Sequence, residues 1–197
     1  MISAVLLGAG ESKRMGTDKL SLPWEKKTVF EHCLDVLVRS EVGEVIVVLN
    51  SRINETTDFT EEQKVRVVSN PCYRKGMSTS IRRGVRAIDP EGKGILIALG
   101  DQPLLRTRTV NALIRAFSER RGDIVLPSFR GAWGHPVIFH RRFEKELLRL
   151  RGDVGGKSII ERHLEQTWMI RVKSAGVIRD IDTWKDYETM KRDWRDG

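Results

Sequence analysis

The residues best suited to chemistry begin with a cationic, glycine-rich loop near the start of the chain. The loop runs from Gly8 to Lys19, with the sequence GAGESKRMGTDK, directly after a short apolar run. Glycines let backbone N–H groups approach an anion closely, and Lys13, Arg14 and Lys19 can neutralise phosphate oxygens. The spacing matches neither the P-loop pattern nor G-x-G-x-x-G. We interpret the loop as a triphosphate site of another class, with an ordinary strand-to-helix turn as the alternative.

Three aspartates form the second chemical set. Asp101 follows the apolar run Ile95–Leu99, and Asp180 and Asp182 alternate near the end of the chain. Ligands of open α/β sheets bind beyond the carboxyl ends of the strands, so a carboxylate there faces the triphosphate. Mg²⁺ bridges one or two carboxylates and phosphate oxygens, which relieves the repulsion. We therefore expect Mg²⁺ on Asp101 with Asp180 or Asp182. A turn-forming aspartate and a helix cap are the alternatives.

Short apolar runs rich in Val, Ile and Leu recur along the chain, each as long as a strand buried on both faces. They are Ile2–Leu7, Val45–Leu49, Val65–Val68, Ile95–Leu99 and Ile124–Leu126, with Val137–Phe139 and Met169–Val172 as further strands. Helical patterns lie between and after them, at Val29–Leu37, Ile81–Ala87, Val110–Phe117 (with Thr107 or Thr109 as its cap), Phe143–Leu150 and Thr183–Trp194. This alternation predicts a three-layer α/β domain with a mainly parallel sheet, spanning residues 1–197.

Composition narrows the class of protein. The 197 residues are 40% hydrophobic and 31% charged, which is typical of a globular domain. No apolar run reaches the roughly 20 residues that span a bilayer, and the first residues show no signal-peptide pattern, so we predict a cytoplasmic protein. The two cysteines lack metal-ligand spacing. The net charge of +8 favours an anionic partner. Nucleic acid is disfavoured because interleaved aromatic residues and a recognisable binding motif are absent from the sequence.

These motifs resemble the MobA-like nucleotidyltransferases. The loop is similar to the signature L-A-[AG]-G-x-S-x-R-M-G-x-x-K, and further similar segments follow in order along almost the whole chain. They are NP at 70–71, GMSTSIRRG at 76–84, GDQP at 100–103, GHPVIF at 134–139, RGDVG at 151–155 and DIDTxxD at 180–186. The resemblance implies a three-layer α/β/α Rossmann-like nucleotidyltransferase fold with a mainly parallel mixed sheet. It also implies Mg²⁺-dependent nucleotidyl transfer.

The segment that starts at Gly76, GMSTSI, is similar to the molybdenum cofactor cytidylyltransferases, whereas the guanylyltransferases usually have GPLAG there. The resemblance thus implies transfer of CMP from CTP to the terminal phosphate of the molybdopterin cofactor, with release of pyrophosphate. It also suggests transient contact with molybdoenzyme maturation proteins. Transfer from GTP or another NTP to a different phosphorylated acceptor is the alternative. A regulatory module without catalysis is disfavoured because Lys19 and Asp101 are both present. Two positions depart from the branch: Gly8, where alanine is common, and Lys157, where arginine is frequent.

The resemblance and the chemistry of the side chains together give candidate roles. The catalytic candidates are Arg14 at the β- and γ-phosphates, Lys19 near the α-phosphate and Asp101 on the metal. The nucleotide-binding candidates are Leu7, Gly8, Ala9, Gly10, Ser12, Arg14, Lys19, Asn70, Ser78, Thr79 and Ser80. The metal candidates are Asp101, Asp180 and Asp182. His135 and Lys157 are the candidates for contact with the acceptor.

Overall fold

A mixed eight-stranded sheet runs through the part of the chain that the computed structural model describes, residues 1–10, 14–50 and 64–195. In chain order the strands are β1 (Ile2–Gly8), β2 (Pro23–Trp24), β3 (Lys27–Thr28), β4 (Glu44–Leu49), β5 (Val65–Ser69), β6 (Gly94–Leu99), β7 (Ile124–Phe129), β8 (Ala132–Trp133), β9 (Val137–His140) and β10 (Thr167–Arg171). The helices are α1 (Val29–Val38), α2 (Met77–Val85), α3 (Thr107–Ser118), α4 (Glu144–Arg149), α5 (Lys157–Arg162) and α6 (Trp184–Arg195). Strands β2 and β3 pair as a separate hairpin.

The order of strands across the sheet is β10-β7-β9-β6-β1-β4-β5, with β8 paired to β7. Strands β6, β1, β4 and β5 are parallel neighbours, whereas β9 runs antiparallel between β6 and β7. The predicted mainly parallel mixed sheet is therefore confirmed. Because the carboxyl ends of parallel strands meet at one edge, β1 and β6 end side by side. We call this edge the carboxyl edge. Strand β9 starts there, since Val137 pairs with Ile97.

Helices cover both faces of the sheet, because successive side chains of its strands point to opposite sides. On one face, Leu6 of β1 packs in a buried cluster with residues of α1 and α3. On the other face, Val5 and Leu7 pack in a second cluster with residues of α2, α4 and α5. Val5 and Leu6 are completely buried. These two cores confirm the predicted three layers.

Helix α6 packs outside the sheet and forms a third buried cluster over the segment that follows β1. Tyr187 and Met190 of α6 pack there against Met15, Trp24 and the neighbouring residue Ile181. The Tyr187 hydroxyl donates to the Pro23 carbonyl at 2.5 Å. The backbone N–H of Ile181 donates to the carbonyl of Asp101 at 3.0 Å. Helix α6 thus holds residues 180–182 against the carboxyl edge.

The expected elements are present, with changes at their ends. The predicted cap of α3 is wrong: the helix starts at Thr107 itself, whose hydroxyl instead donates to the Val36 carbonyl at 3.2 Å. The helix cap considered as the alternative role near Asp182 is made by Thr183, because Thr183 and Asp186 exchange hydrogen bonds between side chain and backbone in both directions. Helix α5 and the β2–β3 hairpin are additional elements. Among the helices of the described residues, none has the length and apolar character needed to cross a membrane.

The ends of β1 and β6 are shaped by one aromatic ring. Gly8 and Gly100 both lie against the ring of Phe30, a buried residue of α1. A Cβ atom at Gly8 would lie 2.5 Å from the Phe30 ring and 2.9 Å from Leu49. At Gly100 it would lie 2.7 Å from the same ring. Glycine is therefore needed at both strand ends because Phe30 fills the space that a side chain would take.

We expect Gly8→Ala to lower the free energy of unfolding by about 1–3 kcal/mol, because the enclosed Phe30 ring cannot move away without disturbing its neighbours. The second variant, Phe30→Leu, removes the clashing ring edge. The double variant should therefore lose less stability than the sum of the two single variants. Urea unfolding of the four proteins measures this coupling.

Gly10→Ala is the matched control, since a Cβ there would meet no atom of the described residues within 4 Å. We expect it to change stability by less than about 0.5 kcal/mol. Strict additivity of Gly8→Ala and Phe30→Leu would show that the ring does not dictate glycine at this position.

Candidate active site

A cavity of about 710 Å³ opens at the carboxyl edge, and we call it the carboxyl-edge cavity. Its walls include most of the residues that the sequence singled out. These are Leu7, Ala9, Gly10, Arg14, Lys19, Ser80, Asp101, Asp180 and Asp182. Parts of the chain up to 175 residues apart therefore meet in one concave site, as expected from their positions after strands.

Besides α2, which carries Ser80, three structural elements position these residues. The end of β1 supplies Leu7 and the residues after it, and β6 leads directly into Asp101. The two strand ends are tied together, since the N–H of Gly100 donates to the carbonyl of Leu7 at 2.9 Å. Helix α6 holds the segment that carries Asp180 and Asp182. The sheet therefore positions the first carboxylate, and packing of α6 positions the other two.

Lys19 links two of the carboxylates. Its ammonium nitrogen lies 2.7 Å from Oδ2 of Asp101 and 3.2 Å from Oδ1 of Asp182. Arg14 reaches the other oxygen of Asp182 at 2.5 Å. Burial lowers the pKa of Lys19, but the contacts with Asp101 and Asp182 outweigh it, so the pKa lies above its ordinary value. Lys19 is therefore a fixed positive charge at neutral pH.

The surroundings of Asp180 disfavour its charged form. Burial, followed by the charges of Asp101 and Asp182, raises the pKa of Asp180. The second oxygen of Asp101, Oδ1, is buried and accepts no hydrogen bond from the described residues. A buried carboxylate oxygen without a partner is costly, and a cation would satisfy it. These residues therefore fit a divalent metal ion.

The donor set also indicates which kind of metal site this is. Among residues 1–10, 14–50 and 64–195, no group of three or more His, Cys, Asp or Glu side chains is arranged to hold a metal by itself. Mg²⁺ commonly binds through one or two carboxylates and completes its shell with water and substrate phosphates. The site thus suits a cation that arrives together with a phosphorylated ligand.

Several nucleotide-binding candidates lie next to the cavity and do not line it. The Asn70 amide donates to the hydroxyls of Thr79 and Ser80, each at 2.9 Å, and all three side chains are buried. Thr79 and Asn70 do not line the carboxyl-edge cavity, whereas Ser80 does. Ser78 is completely buried, and its hydroxyl has no hydrogen-bond partner among the described residues. Gly8 also lies outside the cavity lining, and Ser12 lies outside the described residues.

A second cavity of about 610 Å³ lies next to the first, and we call it the flanking cavity. Both acceptor candidates, His135 and Lys157, line it, together with Trp133 and Phe139. Met77 lines both cavities. Burial lowers the pKa of His135 despite the opposing charge of Asp180, so the imidazole is neutral at pH 7. The flanking cavity thus offers an aromatic, largely apolar wall with one neutral and one cationic nitrogen group.

Sequence reasoning assigned no role to several residues of the carboxyl-edge cavity. They are Leu20, Tyr73, Arg74, Lys75, Gly76, Met77, Leu99 and Asp153. The basic pair Arg74 and Lys75, directly before the GMSTSI segment, was a usable signal. Asp153 belongs to the RGDVG segment at 151–155. Its position beside the site depends on a long-range contact that the spacing of residues does not reveal.

We expect Asp180→Asn to stabilise the protein at pH 7 in metal-free buffer. A pKa raised in the folded state means that ionisation of Asp180 costs stability as pH rises, and asparagine removes this cost. The gain in Tm should shrink as the pH falls towards about 4, where the carboxyl of both states is increasingly protonated. Thermal unfolding across this pH range tests it.

Glu165→Gln serves as the control for this experiment, since Glu165 is an exposed carboxylate outside both cavities. Its pH profile should follow that of the unaltered protein. A gain for Asp180→Asn that is absent at pH 7, or that grows on acidification, would contradict a raised pKa of Asp180 in the folded state.

Curated relatives match nearly the full chain. The molybdenum cofactor cytidylyltransferase of Escherichia coli (strain K12) is 26% identical over 96% of this chain and 95% of its own. The purine catabolism protein PucB of Bacillus subtilis (strain 168) is 28% identical, with 95% of each chain covered. A probable molybdenum cofactor guanylyltransferase of Natranaerobius thermophilus is 30% identical over 71% of this chain and 67% of its own.

Solved structures share the fold. The crystal structure of Rv0371c from Mycobacterium tuberculosis H37Rv superposes with a TM-score of 0.84 at 29% identity, covering 97% of both chains. A complex of Rv0371C with manganese gives a TM-score of 0.77, also at 29% identity, with 97% of this chain and 98% of that chain covered. A nucleotidyl transferase from Methanothermobacter, Mth528, gives 0.82 at 26% identity, covering 100% of this chain and 99% of that one.

The family expected from the motifs is confirmed by a direct match. The model of the MobA-like NTP transferase domain matches residues 4–167, which include both strand ends and the loop from Gly8 to Lys19 but not Asp180 and Asp182. The match takes in Lys19, Asp101 and His135. This chain therefore belongs to the MobA-like NTP transferase family and is a nucleotidyltransferase.

Proposed function

We propose that this nucleotidyltransferase transfers CMP from CTP to the terminal phosphate of the molybdopterin cofactor, releases pyrophosphate and uses Mg²⁺. The observation that carries the proposal is the pair of adjoining cavities, one charged and one aromatic, that share Met77. Such a pair suits a triphosphate donor beside a flat heterocyclic acceptor. The similarity to the Escherichia coli cytidylyltransferase and the GMSTSI segment support CTP as the donor.

In this proposal the triphosphate lies in the carboxyl-edge cavity. Leu7, Ala9 and Gly10 contribute the backbone wall at the end of β1. Arg14, whose side chain is largely exposed, reaches towards the β- and γ-phosphates, and the more buried Lys19 lies near the α-phosphate. Ser80, held by Asn70, is the hydroxyl best placed to contact the nucleotide from α2.

The metal candidates take the cation between the phosphates and the protein. Asp101, whose Oδ1 has no hydrogen-bond partner among the described residues, would hold it together with Asp180 or Asp182. Mg²⁺ bound there supplies neutralisation of the phosphate charge. A phosphate oxygen would be a third acceptor for Lys19, because its ammonium lies between Asp101 and Asp182 and faces the same cavity.

The acceptor occupies the flanking cavity, with its heterocycle against Trp133 and Phe139. An oxygen of its terminal phosphate attacks the α-phosphorus of CTP, and the bond from that phosphorus to the bridging oxygen of pyrophosphate breaks. Lys157 attracts the anionic acceptor, and neutral His135 orients it by hydrogen bonding. Alignment and charge stabilisation carry such a transfer, so no covalent nucleophile of the protein is needed.

Nucleotide binding is the first test, because it does not need the unstable acceptor. We expect CTP with Mg²⁺, at about 100 times its Kd, to stabilise the protein by about 2.7 kcal/mol. Each kcal/mol raises the Tm of a chain of this length by roughly 2–4 °C. Thermal unfolding is measured with CTP, GTP and ATP, each with and without Mg²⁺. Asp101→Asn should abolish the Mg²⁺-dependent part of the shift.

Asp123→Asn is the matched control, because Asp123 pairs with Arg142 and lines neither of the two cavities. It should respond to CTP like the unaltered protein. A larger Tm shift with GTP than with CTP would indicate GTP as the donor. It would favour guanylyl transfer, the activity for which the Natranaerobius relative is named. No shift with any nucleotide would refute the proposed site.

Loss of the positive charge at Lys19 should impair transfer more than binding. We expect Lys19→Met to reduce kcat by about 10²–10³-fold, because its charge acts where negative charge develops on the α-phosphate. Methionine retains most of the apolar stem of lysine. The measurement is CMP transfer to purified molybdopterin.

Lys26→Met provides the comparison, since Lys26 is exposed and lines neither cavity. It should retain full activity. An unchanged kcat for Lys19→Met would exclude a role for this lysine in the transfer step.

A further inference from the structure

The start of α2 is capped by a distant loop. The first N–H groups of a helix have no partners within it, and Gly76 offers no side chain to cap them. The N–H of Met77 instead donates to Oδ1 of Asp153 at 3.1 Å. The N–H of Ser78 donates to the carbonyl of Gly152 at 3.3 Å. The N-terminus of α2 is thus occupied by the chain itself.

The loop and the helix touch backbone to backbone. Gly76 has a φ of 101°, which is in the range that favours glycine. A Cβ there would lie 2.5 Å from the carbonyl of Gly152 and 2.6 Å from the N atom of Asp153. This close approach leaves little freedom for either partner. The carboxylate of Asp153 therefore fixes where α2 begins.

This junction lies at the border of the two cavities. Asp153 and Gly76 line the carboxyl-edge cavity, Gly155 and Gly156 line the flanking cavity, and Met77 lines both. The side chain of Met77 is 38% exposed. Met77 therefore forms the part of the wall that both substrates would contact. Its backbone N–H is the group that Asp153 binds.

We propose that Asp153 is a positioning residue for nucleotidyl transfer. It acts through Met77, by fixing the start of α2 and thereby the separation between donor and acceptor. This inference rests on the proposed function for the identity of the two substrates. Its structural part, the cap on Met77, does not. A displacement of about 1 Å at such a border can cost on the order of 10²-fold in rate.

Two substitutions distinguish capping of the Met77 N–H by Asp153 from a direct effect of its negative charge. Asp153→Asn retains the Oδ1 acceptor but removes the negative charge, whereas Asp153→Ala removes both. We expect Asp153→Ala to lower kcat by about 10–100-fold, with the KM for CTP changed less than about threefold. Asp153→Asn should stay within about threefold of the unaltered protein in both constants. Asp89→Ala is the control, since Asp89 caps the N–H of Glu91 in a turn outside both cavities.

A second readout does not depend on transfer. The protein is labelled with [methyl-¹³C]methionine, and the Met77 methyl signal is assigned from Met77→Leu. CTP with Mg²⁺ should shift this signal in the unaltered protein and in Asp153→Asn. In Asp153→Ala without nucleotide, the Met77 methyl signal should have a different chemical shift from that of the unaltered protein. Amide hydrogen exchange of the peptide that contains Met77 should also be faster.

The outcomes separate the two proposals. Equal loss of kcat in Asp153→Asn and Asp153→Ala would overturn the positioning role in favour of a direct role of the charge. An unaltered Met77 signal and unaltered exchange in Asp153→Ala would overturn it as well. If the unaltered protein fails to transfer CMP while Met77 still responds as described, the proposed function fails and the cap on Met77 stands.

Discussion

Three carboxylates gathered at one sheet edge, with cations between them, are the feature on which the geometry of this site depends. Burial, followed by the charges of Asp101 and Asp182, raises the pKa of Asp180. Lys19 and Arg14 offset part of this charge through direct ion pairs. Because Oδ1 of Asp101 is buried without a hydrogen-bond partner among the described residues, the site favours a further cation. The same arrangement thus explains the ion-pair network and the affinity for phosphates with a metal ion that we propose.

The second requirement is mechanical, because the aspartates come from distant parts of the chain. Asp101 is placed by β6 and needs little else. Asp182 is placed by α6, whose aromatic and apolar side chains pack on the segment between β1 and α1. That segment also contains Lys19. One buried cluster therefore positions both Lys19 and Asp182, which form an ion pair. The geometry of the charged site is thus set by the packing of apolar side chains next to it.

Sequence reasoning identified the fold and most of the charged wall for a clear physical reason. Strand ends such as Gly8 and Leu99 are visible as breaks in apolar runs, and chemistry in α/β sheets gathers at those ends. The predicted helix cap by Thr107 was wrong, because its hydroxyl donates to a carbonyl of α1 and does not cap the start of α3. Sequence reasoning also assigned no role to Asp153, because the acceptor that caps α2 lies 76 residues away from Met77. Local spacing carries no information about such contacts.

The ring of Phe30 beneath Gly8 and Gly100 has a consequence for how this site can evolve. The residue that restricts both strand ends belongs to α1 and is not part of the cavity lining. The side chains at positions 8, 30 and 100 therefore constrain one another. An alanine at position 8 requires a smaller or displaced side chain at position 30. The shape of the carboxyl edge is thus tied to substitutions in α1.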